Sequence, residues 1–179
     1  MSMRSPRGFA AAIVLLSGVA LAAFAVALGH GAEAIVHLAL GASFLLIAPA
    51  VFDFRLPTWL TWAAGAAIGG LAVVFLLQGA SDLTGFVPLT HLAYDILGQR
   101  LEKVLGYAFL LWCVAVVLID SDGNTKRFGI VVVAAVLGVE IYAYAIAYLG
   151  GAAAGILKLL YLPLFVWLLL ESRKPRPAA

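Results

Sequence analysis

One cysteine, two methionines and very little charge set the first limits on what this chain can be. Cys113 has no second thiol to pair with, so an internal disulfide and dithiol redox chemistry are excluded within one copy. Charged residues make up 11% of the sequence, against about a quarter in soluble domains. No polar stretch is long enough to build a domain outside a membrane, and no run alternates as a strand would. The net charge of +2 is too small to imply a nucleic-acid partner. The basic residues instead sit in short loops and tails, where membrane topology accounts for them.

What fills the 179 residues is apolar sequence, at 65% hydrophobic content and a mean hydropathy of +1.11. A spanning helix needs about 20 mostly apolar residues. Six windows meet that length: 8–28, 32–52, 58–78, 101–119, 128–149 and 152–170. Turn signals separate them, including Gly29-His30-Gly31, Asp53 to Pro57, Asp120 to Asn124, and Gly150-Gly151. The expected fold is therefore all-α: a polytopic membrane bundle of six transmembrane helices forming one integral membrane domain, with the lipid bilayer as its first partner. Residues 171–179 form a basic tail. Arg4, Arg7, the first apolar run and Ala25-Val26-Ala27 also fit a secretory signal, whose removal would leave five spans in the same orientation.

Orientation follows from counting Lys and Arg by side. With the N-terminus inside, Arg4, Arg7, Arg55, Lys126, Arg127, Arg173, Lys174 and Arg176 are cytoplasmic, against Arg100 and Lys103 outside. Both termini are expected in the cytoplasm of a multi-pass cell-membrane protein. Trp59, Trp62 and Trp167 then fall toward the inner interface, where an aromatic belt is expected. The long connection 79–100 lies outside, and Pro88, Leu89, Leu92, Ala93, Ile96 and Leu97 in it read as a short amphipathic helix on the outer surface.

A rise of 1.5 Å per residue converts position into depth and gathers ionisable groups in the outer half. His37 lies roughly 8 Å, Glu140 roughly 13 Å and Lys158 roughly 9 Å below the outer ends of three different spans. Such groups are costly in lipid, so they face the bundle interior and find partners. Glu140 and Lys158 are the natural pair, although Lys158 is also shallow enough to snorkel. Glu33 and His37, and likewise His91 and Asp95, are four apart, which puts each pair on one helix face. Tyr144 follows Glu140 at the same interval.

Three functions fit these residues. The first is proton- or ion-linked transport or small-ligand binding in an outer pocket built from Glu33, His37, Glu140, Tyr144 and Lys158. The second is a redox protein holding haem or a transition metal through His37, His91, Glu33 and Asp95. The third is an accessory or sensory subunit. The Gly65 and Gly69 spacing permits close helix approach, within the chain or between copies in a homo-oligomer. Ser43 lies mid-helix without the final glycine of a nucleophile elbow, and is not read as a nucleophile.

Overall fold

The computed structural model describes residues 7–27, 31–145, 160–168 and 170–171. Helix α1 is Arg7–Ala27, and α2 is Glu33–Ile47 with a 3-10 continuation Ala48–Asp53. Helix α3 is Thr58–Thr84. Helix α4, Val87–Thr90, passes into a π-wound stretch His91–Leu101 and then into α5, Glu102–Ala115, which ends in a second π-wound stretch, Val116–Asp120. Helix α6 is Gly123–Ala145, and residues 160–168 are helical. No strand occurs among the described residues. Three helices there are long and apolar enough to cross a membrane: Glu33–Asp53, Thr58–Thr84 and Glu102–Asp120. Ile13–Ala27 is a shorter apolar helix.

Local chemistry sets the ends of these helices. Pro49 starts the 3-10 tightening at the end of α2, because it has no N–H to continue the α ladder. Helix α3 stops at Gly85, which adopts the left-handed φ of 61° and returns its N–H to the Ser81 carbonyl at 2.8 Å. This lies past the expected span end at residue 78. The connection read as 79–100 is consequently helical at both ends. Residues 79–84 prolong α3, and the chain winds without a break from Val87 to Asp120.

Helix α2 packs between α1 and α3, and α3 packs in turn on α5. Small residues allow the approach. Gly18 sits directly on the Ala39 methyl, and a Cβ at Gly79 would come 2.6 Å from Leu38 Cγ and 3.0 Å from its backbone nitrogen. Gly65 and Gly69 do not serve this purpose. A Cβ on Gly69 would meet nothing within 4 Å, and one on Gly65 only the Phe52 ring.

The core is a column of rings. Phe44 lies 5.7 Å from Phe75, 5.4 Å from Phe109, 5.2 Å from Tyr161 and 5.2 Å from Phe165. These contacts bring the 160–168 helix against α2 and α5. Phe109 continues to Trp112, and Trp112 meets Phe54 edge-on at 5.1 Å. Trp167 is fully buried against Gly129 of α6, unlike the interfacial anchor expected of it. Trp59 and Trp62 are exposed. The column runs between two ends of the bundle, which we call the His37 end and the Phe54 end.

Candidate functional site at the His37 end

Antiparallel packing of α2 on α3 brings the first turns of one helix to the last turns of the other. His37, one turn into α2 and 3% exposed, therefore faces Asp82 near the end of α3. Its Nδ1 lies 2.7 Å from Asp82 Oδ2. A carboxylate only accepts, so Nδ1 carries the hydrogen and donates it. The other carboxylate oxygen, Oδ1, accepts from the Tyr94 hydroxyl at 2.6 Å, and that hydroxyl is 3.4 Å from His37 Nδ1. One carboxylate thus joins α2, α3 and the π-wound stretch. The imidazole is packed from below by Phe75, stacked with centroids 6.1 Å apart, and from the side by the Tyr94 ring.

A second tier of polar contacts surrounds this trio. Gln78, Ser81 and Asp82 are spaced i, i+3, i+4 on one face of α3. Each reaches across to the segment Val87–Leu101, the helical cover of this end, or to α5. Gln78 Nε2 donates to Glu102 Oε2 at 2.9 Å, and the Ser81 and Thr90 hydroxyls are 2.7 Å apart. Thr90 donates to the Phe86 carbonyl, which leaves Ser81 as the donor between the two. Gly98 admits the cover closely, since a Cβ there would stand 3.1 Å from Gln78 Nε2 and 3.0 Å from the Ala93 carbonyl.

Burial pushes the Tyr94 phenol well above its ordinary range, helped by the hydrogen bond to Asp82 and by the charges of Asp82, Glu33 and Glu102. Tyr94 is therefore held as a proton donor.

The sequence-predicted residues separate on this geometry. His37 is at the centre. Glu33 is the first residue of α2, near enough for its charge to bear on Tyr94, but the carboxylate bonded to His37 is Asp82. His91 and Asp95 form a loose pair at 3.8 Å, with side chains 65% and 58% exposed. Among the described residues no three His, Cys, Asp or Glu side chains come together in a way that could hold a metal ion. Glu140 and Tyr144 lie on α6, but their side chains fall outside the described residues, as does the whole of Lys158. Ser43 is structural: its hydroxyl donates to the Ala11 carbonyl at 2.9 Å and ties α2 to α1.

Asp82, Tyr94, Gln78 and Glu102 were not singled out in the sequence. The available signal was the polar face Gln78, Ser81 and Asp82 at helical spacing directly after an apolar span. Comparison with family models, curated proteins and solved structures gives no match to any of them.

Proposed function

We propose that the chain is a six-span membrane protein with both termini cytoplasmic, and that it carries out proton-linked transport of a small solute bound at the His37 end, which faces outward. The hydrogen-bonded trio of His37, Asp82 and Tyr94 carries this reading. An imidazole and a carboxylate in contact, on separate helices and beside a helical cover, form a group whose proton content can be linked to solute binding. Beneath it Phe75 and Phe44 are 1% and 0% exposed, so among the described residues buried aromatic rings close the space directly below the imidazole. That closure suits an outward-facing or occluded state in alternating access. Glu140, Tyr144 and Lys158, at comparable depth on the fifth and sixth spans, would complete the pocket.

The test is uptake into proteoliposomes from pools of small radiolabelled solutes, with and without an inward proton gradient. At least one solute class should be accumulated by the wild type, faster with the gradient, and at least tenfold less by a folded Asp82→Asn protein. Gradient-driven uptake that survives in both Asp82→Asn and His37→Gln would defeat the reading.

A second reading is favoured by one observation. A metal-bound histidine commonly donates its other N–H to a carboxylate, as His37 does to Asp82. A Soret band or about one metal per chain in the purified protein would bring that redox reading forward. A colourless, metal-free sample would remove it.

A further inference from the structure

The π winding of His91–Leu101 divides the covering segment into three faces. In an α-helix each residue turns about 100°, so Leu92 and Leu101, nine apart, would lie on opposite sides. With i→i+5 hydrogen bonding the turn is about 82° per residue, and Leu92, Ile96 and Leu101 fall within about 50° of one another. All three are open, at 39%, 54% and 40% exposure, and Val87 precedes them at 76%. Thr90 and Tyr94 lie on the opposite side, which is the side bonded to Ser81 and Asp82 of α3, and Ala93 is buried. His91, Asp95 and Arg100 occupy a third face, all exposed.

We propose that the apolar face of Val87–Leu101 is seated in lipid, at the boundary between headgroups and acyl chains at the His37 end of the bundle. Three observations select lipid as the occupant. The stripe continues without a break into α5 and the π-wound stretch after it, where exposed Val104, Leu111 and Leu118 run down Glu102–Asp120, one of the helices long and apolar enough to cross a membrane. Exposed Leu83 and Phe86 flank it at the end of α3. The charged face is set beside the apolar one, as in a helix lying in the plane of an interface. A winding that is rarely longer than one turn is thus used to satisfy three surroundings at once: bundle, water and lipid. This placement holds whether or not the site beneath the cover exchanges protons.

The test places single cysteines at Leu92, Ile96, Leu101, His91 and Asp95 of the full chain, labels them with a nitroxide and reconstitutes the protein in phosphatidylcholine and phosphatidylglycerol vesicles. Native Cys113 is 0% exposed, so it does not compete for label in the folded protein, and Cys113→Ala provides a second background. Labels at Leu92, Ile96 and Leu101 should be relaxed several-fold more by oxygen than by a water-soluble nickel chelate, and those at His91 and Asp95 the reverse. Equal access to the nickel chelate at all five positions would overturn the proposal. So would Leu101 grouping with His91 and Asp95.

Discussion

Asp82 is the residue on which the His37 end depends, because its one carboxylate accepts from an imidazole on α2 and from a phenol on the cover. Its removal takes this acceptor away from two donors, one of them on a side chain that is 4% exposed. Asp82→Ala should therefore cost about 1–3 kcal/mol, and Tyr94→Phe, which leaves the carboxylate bonded to His37, about 0.5–1.5 kcal/mol, read from denaturation in detergent. The pH dependence has a defined sign. The folded Tyr94 phenol titrates above its ordinary value near 10. The stability difference between wild type and Tyr94→Phe should be flat up to about pH 10 and shrink above it, where the phenol of the unfolded chain ionises while the folded one keeps its proton. A difference unchanged from pH 8 to about pH 12 would contradict a phenol held above its ordinary range.

At the scale of the helix, glycine positions distinguish contact from open space. Gly79→Leu would press a side chain into Leu38 and its backbone, and should separate α2 from α3 with a loss of folded yield. Gly69→Ala has open space and should be neutral or stabilising by up to about 1 kcal/mol. A strong loss from Gly69→Ala would instead point to a contact between copies at that face. Apolar length made the helices Glu33–Asp53, Thr58–Thr84 and Glu102–Asp120 legible in the sequence. It did not give the end of α3, since counting apolar residues stops at Gln78 whereas the chain stops winding at Gly85, where a left-handed backbone is required. The cover was legible as a helix but not in its winding. Read at α spacing, Leu89, Leu92, Ala93, Ile96 and Leu97 make one apolar face, while in the structure Ala93 turns inward and Leu101 joins Leu92 and Ile96 outside.

The whole molecule is organised around the ring column from Tyr94 and His37 through Phe75, Phe44 and Phe109 to Trp112 and Phe54. Phe44 touches rings of α3, α5 and the 160–168 helix, so Phe44→Ala should cost about 3–5 kcal/mol and loosen the molecule at its centre. Of the trio, only His37 was readable in advance. His37 stood out as an ionisable group inside an apolar span, but its partners come from the end of α3 and from the cover, and only the antiparallel register brings residues 37, 82 and 94 together. The central claim is that His37 carries its hydrogen on Nδ1 and donates it to Asp82. With three histidines in the chain, nitrogen NMR of imidazole-labelled protein in detergent, assigned with His37→Gln, reads this directly. The account predicts a His37 with its hydrogen on Nδ1, and a changed Nδ1 signal in Asp82→Ala, which takes the acceptor away. A His37 with its hydrogen on Nε2 alone, or a signal indifferent to Asp82→Ala, would contradict it.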